Sequence, residues 1–306
     1  MYQSLDYLET LAAQMPKSRI AVAGAQEADA LRALEAAYKK GYIEPILIGD
    51  QEEIHKIADQ NNIFIENWKI IHEKDLNETT EKAAYLVGCG EADCIMKGLA
   101  DTSRVLKSCL KKEYGLRTEH PLSHVAVYEI PEYEKLLFLS DSAMMVYPTL
   151  EDKVSIILNS WQVAKAMGYQ TFKIACVSIS EKQNQKVVST LDGFALTQMC
   201  AEGKFSKELV VEGPMGFDLA ICKESALTKN YCGNIQGDAD MVLCPNLEMG
   251  NAVGKAFSLI GNSTYAGVVM GAKKPIILTS RADSPRSKLM SILLGSIVAG
   301  GGSYGD

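Results

Sequence analysis

The 306-residue sequence lacks several features that mark common classes of protein. It has no excess of basic residues: 31 Lys and Arg against 38 Asp and Glu give a net charge of −7. This balance argues against non-specific binding of nucleic acid, which requires a basic face. No apolar run is long enough to span a membrane, and residues 1–15 lack the basic segment of a secretory signal peptide. We therefore expect a cytoplasmic protein without nucleic-acid or membrane partners.

The eight cysteines and four histidines follow no metal-binding pattern. No two cysteines are spaced C-x-x-C and most lie inside apolar runs, so we expect small buried thiols of a reducing compartment. There is no H-E-x-x-H motif. His120 and His124 have helical spacing, but Pro121 between them argues against a helix. We expect no metal and no bound cofactor.

The sequence does contain a regular alternation of strand and helix patterns. Such alternation predicts parallel sheets covered by helices on both faces, and the length allows two domains. One exception is the pair of apolar runs at residues 122–130 and 135–140. They are joined by the short link P-E-Y-E, which is typical of an antiparallel pair.

Residues 237–261 combine a short buried strand, a turn and a helix. Asn246 lies in the turn, and the pattern predicts that the helix begins at Gly250 and Asn251. The first N–H groups of a helix and its dipole favour an anion. On pattern alone, the favoured alternative is an ordinary βα turn that binds nothing.

A second strand, P-I-I-L-T at residues 275–279, is followed directly by polar side chains. Ser280, Arg281 and Asp283 come after its carboxyl end, where ligands of parallel sheets bind. A hydroxyl and a planar guanidinium suit a phosphate group. The alternative for Arg281 is a surface ion pair.

Five motifs in this order resemble the phosphate acetyltransferase and phosphate butyryltransferase family. They are M-K-G-L-A-D-T-S-R-V-L-K at 96–107, S-D-S-A-M-M-V-Y-P-T at 140–149, V-E-G-P at 211–214 with Asp218, C-P-N-L-E-M-G-N at 244–251, and K-P-I-I-L-T-S-R-A-D-S at 274–284. The resemblance covers the chain from about residue 91 onward. The first and last motifs are more similar to the butyryl branch.

The resemblance implies two three-layer α/β domains with mostly parallel sheets and an active cleft between them, as in isocitrate and isopropylmalate dehydrogenases. Residues 1–140 with 284–306 would form the first domain and residues 141–283 the second. The implied activity is reversible transfer of butyryl or a similar short acyl group between CoA and inorganic phosphate, giving acyl phosphate and CoA. CoA and phosphate are then substrates, and we expect a homodimer or higher homo-oligomer.

The resemblance also implies the site residues. Ser280 and Arg281 are expected to be catalytic and to hold the phosphate together with the backbone at Gly250 and Asn251; Ser280 alternatively faces the oxyanion. The expected substrate-binding residues are Lys97, Gly98, Thr102, Ser142, Asn246, Gly250, Asn251 and Asp283. For Lys97, Gly98 and Thr102 the alternative is an ordinary strand end and helix start, and for Ser142 a polar linker residue.

The base that deprotonates the CoA thiol is not evident. The acetyl branch has an Asp seven residues after the motif Ser, where this chain has Ser287. Asp283 is the nearest carboxylate, but we favour it as a helix N-cap. No Cys or Ser has a convincing His partner in the sequence, which favours direct transfer in a ternary complex. The alternatives are a phosphate acetyltransferase, a non-catalytic CoA- and phosphate-binding protein, and a metal-dependent decarboxylating dehydrogenase.

Overall fold

Helices and strands alternate along the chain in the computed structural model, which describes residues 3–280 and 282–301. The first elements are α1 (Tyr7–Ala12), β1 (Ser18–Ala23), α2 (Ala28–Lys39), β2 (Ile43–Gly49), α3 (Gln51–Asn61), β3 (Lys69–His72), α4 (Leu76–Gly88), β4 (Cys94–Lys97), α5 (Thr102–Leu110) and a 3-10 turn at Lys112–Tyr114. They are followed by β5 (Ser123–Glu129), β6 (Leu137–Ser140), α6 (Leu150–Ala166), β7 (Phe172–Val177), α7 (Val188–Ala201), β8 (Leu209–Met215), α8 (Phe217–Ile221), α9 (Lys223–Thr228), β9 (Met241–Leu243) and α10 (Leu247–Leu259). The last elements are β10 (Thr264–Met270), β11 (Ile276–Ile277) and α11 (Pro285–Gly300).

One compact unit contains residues 5–122 and 264–301, and we call it the N-terminal unit. Its strands lie in the order β3-β2-β1-β4-β11-β10, and the neighbours are parallel except for the antiparallel pair β10 and β11. Strands β1 and β4 are almost continuous apolar runs, as expected for strands that are covered on both faces. Helix α11 is apolar on nearly all sides and packs against β10, α1 and α2.

The other compact unit, which we call the central unit, contains residues 3–4 and 123–263. Its strands lie in the order β5-β6-β9-β7-β8. All neighbours are parallel except β5 and β6, which form the antiparallel pair predicted from the P-E-Y-E link. Helix α7 packs on β7 and β8, and α10 packs on β6.

The boundaries between the compact units lie between residues 122 and 123 and between residues 263 and 264. The boundaries expected from the sequence lie between 140 and 141 and between 283 and 284. Strand pairing accounts for the difference. Strand β6 is hydrogen-bonded to β9, which associates residues 123–140 with the central unit. Strand β11 is hydrogen-bonded to β4, which associates residues 264–283 with the N-terminal unit.

Candidate active site

Several predicted residues of the N-terminal unit lie where three parallel strands leave its sheet. Strand β4 is flanked by β1 and β11, and Met96 is paired with Ile277. The segments that follow these strands therefore begin at the same carboxyl edge, the usual place for a ligand on a parallel sheet. The strand register thus brings Lys97, Gly98 and Ser280 to one edge.

Close backbone packing explains the glycine at this edge. A Cβ on Gly98 would lie 2.2 Å from the carbonyl oxygen of Gly24, and the same oxygen accepts the N–H of Leu99 at 2.7 Å. The Lys97 ammonium is partly buried and donates to the Gly98 carbonyl at 3.0 Å. Thr102 is exposed at the start of α5. Gly98 therefore has a packing role, and a ligand role for Lys97 and Thr102 stays a prediction.

The turn between β11 and α11 is stabilised by a carboxylate. Asp283 Oδ2 accepts the backbone N–H of Ser280, and Oδ1 accepts the hydroxyl of Tyr265, both at 2.6 Å. The Ser280 Oγ accepts the N–H of Ala282 at 3.3 Å, and Ser280 is exposed. Arg281 lies outside the described residues, so its role stays a prediction. Sequence reasoning did not identify Tyr265.

The N-cap of α11 is Ser284, so the prediction that Asp283 caps this helix was wrong. The Ser284 Oγ accepts the N–H of Ser287 at 3.1 Å. Pro285 is the first helical residue, which makes the residue before it the N-cap. Ser287, at the position of the acetyl-branch aspartate, is buried, and its hydroxyl bonds Ser284 Oγ at 3.1 Å. This position therefore supplies no titratable group.

Residues at the start of β5 and after β6 and β9 meet at one edge of the central sheet. Strands β6 and β9 are parallel, with Ser140 paired to Leu243, so both end there. Strand β5 is antiparallel to β6 and begins at the same edge. His124, Ser142 and Asn246 are therefore brought together, although they are far apart in the sequence.

Asp141 organises the chain after β6 with a buried carboxylate. Its Oδ2 accepts the N–H of His124 at 3.1 Å, and Oδ1 accepts the N–H groups of Ala143 and Met144 at 2.7 and 2.8 Å. Burial raises the pKa of Asp141, and the backbone N–H bonds partly oppose that increase. These contacts give the residues around Ser142 a defined backbone geometry.

A buried histidine faces Ser142. The His124 Nδ1 is 3.1 Å from Ser142 Oγ, and both side chains are more than nine-tenths buried. Burial lowers the pKa of His124 to about 4, so the imidazole is neutral near pH 7. The His124 carbonyl accepts the hydroxyl of Ser140 at 2.7 Å, which holds its backbone in place.

This pair corrects the prediction that no serine has a histidine partner. Sequence reasoning tested only the helical spacing of His120 and His124. The signal that would have found the pair is the predicted antiparallel link of residues 122–130 with 135–140. That pairing places the residues around 124 opposite those around 141.

The start of α10 also differs from the prediction. The helix begins at Leu247 and not at Gly250, with Asn246 as the N-cap whose Oδ1 accepts the N–H of Met249 at 3.0 Å. The Gly250 N–H is bonded to the Asn246 carbonyl at 3.1 Å, and the Leu247 N–H to the Val146 carbonyl at 3.0 Å. The side chain of Asn246 accepts the N–H of the third helical residue, so the helix begins directly after Asn246 and not at the glycine. The Gly250 N–H is therefore not available to bind phosphate.

Gly250 and Asn251 instead hold the segment that contains Ser142. A Cβ on Gly250 would lie 2.3 Å from the carbonyl oxygen of Asp141 and 3.0 Å from the Cα of Ser142. The Asn251 Nδ2 donates to the Ser142 carbonyl at 3.4 Å. The glycine permits the close approach of helix and turn, which Ala could not.

The two edges carry different chemistry. The edge of the N-terminal unit presents an ammonium from Lys97 and an exposed hydroxyl from Ser280, groups that suit an anion. The edge of the central unit holds a hydroxyl against a neutral imidazole, an arrangement that can accept a proton.

Comparison with known proteins gives a consistent result. A family model described as phosphate acetyl/butaryl transferase matches residues 70–295. The phosphate butyryltransferase of Clostridium acetobutylicum is 41% identical over 282 residues, which are 92% of this chain and 93% of that protein. A branched-chain phosphotransacylase from Enterococcus faecalis V583 superposes with a TM-score of 0.81 at 31% identity, covering 92% of this chain and 99% of that one.

A more distant structure bears on the fold alone. A 4-hydroxythreonine-4-phosphate dehydrogenase from Klebsiella pneumoniae has a TM-score of 0.53 at 13% identity over 92% of this chain and 99% of its own. These neighbours share the isocitrate dehydrogenase-like fold, which confirms the predicted fold class. Within residues 3–280 and 282–301, no helix is both long and apolar enough to cross a membrane.

Proposed function

The chain belongs to the phosphate acetyl/butaryl transferase family, and we propose that its preferred substrate is butyryl-CoA or a similar short-chain acyl-CoA. As a phosphate acyltransferase it catalyses reversible acyl transfer between CoA and inorganic phosphate. A phosphate oxygen attacks the acyl carbon, a C–O bond forms and the C–S bond breaks. CoA leaves as the thiol, with the proton that the phosphate gives up. The match of the family model to most of the chain carries this conclusion.

We place the phosphate at Ser280 and Arg281. An exposed serine at the carboxyl edge of β11 supports this assignment, and the register of β4 puts Lys97 at the same edge. The backbone of Gly250 has no part in it, because its N–H is bonded within α10. Asp283 acts on the substrate only indirectly, through its bond to the Ser280 N–H.

We also propose direct transfer in a ternary complex. The Ser142–His124 contact makes Ser142 the specific candidate for the rival route, in which an acyl-enzyme forms first. Labelled CoA incubated with acyl-CoA in the absence of phosphate separates the two routes. Direct transfer predicts no label in acyl-CoA, and rapid exchange would refute it.

The acyl preference rests on chain length. Butyryl has two methylenes more than acetyl, each worth about 0.8 kcal/mol when buried, so a fitted pocket prefers butyryl by roughly tenfold. The test is kcat/KM for acetyl-, propionyl-, butyryl- and isobutyryl-CoA at fixed phosphate, followed by thiol release. We expect phosphate-dependent release with butyryl or isobutyryl fastest. Faster acetyl transfer refutes the preference, and no transfer with any substrate indicates a binding protein.

No cofactor is required in this proposal, because CoA and phosphate are the substrates. EDTA should leave the rate unchanged, and NAD should not be reduced; either effect would favour a metal-dependent dehydrogenase. We place the protein in the cytoplasm because its cysteines are unpaired and four of them are buried. A disulfide found in protein isolated from cells would contradict this location.

We propose a homodimer that forms through α7. The helix V-S-T-L-D-G-F-A-L-T-Q-M-C-A has one charged residue, Asp192, which bonds Lys153, and Val188 and Phe194 are 66% and 40% exposed. Large apolar side chains that a helix exposes in this way are often covered by a second chain. Sedimentation should give a dimer, and Val188→Asp with Phe194→Asp should give monomers. A monomeric wild type would contradict the proposal.

A further inference from the structure

Acyl transfer to CoA is faster when a group of the enzyme removes the thiol proton, and the turn after β11 does not supply such a group. Ser287 stands at the position of the acetyl-branch aspartate, and its buried hydroxyl has no useful basicity. The carboxylate of Asp283 already accepts two short hydrogen bonds, from the Ser280 N–H and the Tyr265 hydroxyl. Both oxygens of this carboxylate are therefore engaged in holding the turn.

The central unit contains a base of another kind. His124 is joined to the Ser142 hydroxyl by the 3.1 Å contact at Nδ1. The backbone around the pair is held by Asp141, which accepts the His124 N–H, and by Asn251, which donates to the Ser142 carbonyl. These hydrogen bonds fix the backbone on both sides of the contact, which argues against a polar linker role for Ser142. They keep the Ser142 hydroxyl in contact with the imidazole.

We propose that Ser142 and His124 form the proton-accepting pair for the CoA thiol, an inference that rests on the proposed phosphate acyltransferase activity. The thiol proton passes to Ser142 Oγ while the Ser142 proton passes to His124 Nδ1. The thiolate sulfur attacks the carbonyl carbon of the acyl phosphate, so that a C–S bond forms and the C–O bond breaks. The departing phosphate oxygen takes a proton from solvent, His124 returns its proton to solvent through Ser142, and the pair is regenerated.

The basicity of the buried imidazole is suited to this role. With a pKa of about 4, it is as basic as an ordinary aspartate, whose pKa is about 3.9. Burial is the cause of the lowered value. The neighbouring carboxylate, Asp141, bonds the His124 backbone N–H. The imidazole is therefore neutral near pH 7 and can accept a proton there.

The first test compares His124→Asn, Ser142→Ala and the control His120→Asn, which changes an exposed histidine. Asparagine keeps a polar atom near the position of Nδ1 but cannot accept the proton. In the direction from butyryl phosphate and CoA, kcat should fall by about 100-fold or more in the first two variants. The KM for butyryl phosphate should change less than about threefold, and the control should match wild type.

The second test measures how the rate depends on pH. A residue with a merely structural role would not change this dependence. In the His124→Asn variant the thiolate must come from solution, so the rate should rise about tenfold per pH unit up to the thiol pKa near 8.5. The wild type should show no such rise between pH 6.5 and 8. A His124→Asn enzyme within about threefold of wild type, or one with a low rate that pH does not restore, overturns the proposal.

A third measurement needs no variant. Nitrogen-15 NMR of the wild-type imidazole should show Nδ1 without a proton at pH 7, because Nδ1 must accept the Ser142 hydroxyl. A protonated Nδ1 overturns the proposal even if the variants fail to fold. The proposed function fails separately: a wild type that transfers no acyl group refutes both, whereas an active wild type with an active His124→Asn refutes only the relay.

Discussion

Gly250 in helix α10 allows a direct test of the packing that holds Ser142. In an ordinary helix interior, Gly→Ala stabilises the protein by about 1 kcal/mol. The reason is that an unfolded chain with Ala has less conformational freedom to lose on folding than one with Gly. Here the new methyl would lie 2.3 Å from the Asp141 carbonyl oxygen, whereas ordinary contact begins at 3.4 Å. The helix or the turn must therefore move by about 1.1 Å.

The turn cannot yield easily, because three backbone N–H groups bind the Asp141 carboxylate. Overpacking of this kind costs about 1 to 3 kcal/mol. After the gain in helix propensity, we expect Gly250→Ala to destabilise the protein by up to about 2 kcal/mol. The midpoint of thermal unfolding should fall by up to roughly 4 to 8 °C. Turnover should also fall, since the methyl would lie 3.0 Å from the Ser142 Cα.

The matched control is Gly254→Ala, one turn later in α10. Its methyl would meet side-chain atoms and not backbone, the Tyr128 hydroxyl at 2.7 Å and Leu139 at 3.4 Å. We expect this variant to be less destabilised than Gly250→Ala, with normal turnover. The measurements are thermal unfolding and kcat on both proteins. If Gly250→Ala melts no lower than Gly254→Ala and turns over as fast, the close-packing argument is refuted.

Two further changes test single groups. Arg281→Lys keeps the charge but loses the planar fork, so the KM for phosphate should rise by about tenfold or more; an unchanged phosphate dependence in initial-rate assays removes Arg281 from the site. Because burial lowers the pKa of His124 to about 4, the unfolded chain binds a proton that the folded chain does not between pH 6.5 and 4. Stability from this group is therefore lost as pH falls, by about 3 kcal/mol between pH 7 and 4. Urea unfolding measures the free energy of unfolding of wild type and of His124→Asn. The difference between the two proteins should become smaller by that amount from pH 7 to pH 4. A difference that stays constant with pH would contradict the lowered pKa of His124.

Element types were predictable because they depend on local patterns. The apolar runs of β1, β4 and β9 and the periodic faces of the helices are visible in any short window of sequence. The P-E-Y-E link was sufficient to predict the antiparallel pair β5 and β6, since a short connection leaves no other arrangement. The five motifs and their order were sufficient to identify the family, because each motif is a short continuous run of residues.

Helix starts were less predictable, because several residues near each start can cap. Asn246 and Gly250 both suit the beginning of α10, and Asp283 and Ser284 both suit that of α11. The choice depends on which side chain reaches the N–H two or three residues later, and on what else competes for it. Asp283 is used by Ser280 and Tyr265, which leaves the cap to Ser284.

The sequence by itself determined the alternating α/β architecture, the family and the identity of the residues at the strand ends. Only the tertiary structure decided which of those residues meet. His124 and Ser142 are 18 residues apart, and they come together because β5 runs antiparallel to β6. Gly250 is set against Asp141 because α10 packs on β6. Periodicity is a property of neighbouring residues, whereas strand register and helix packing are fixed by the burial of surfaces from distant parts of the chain.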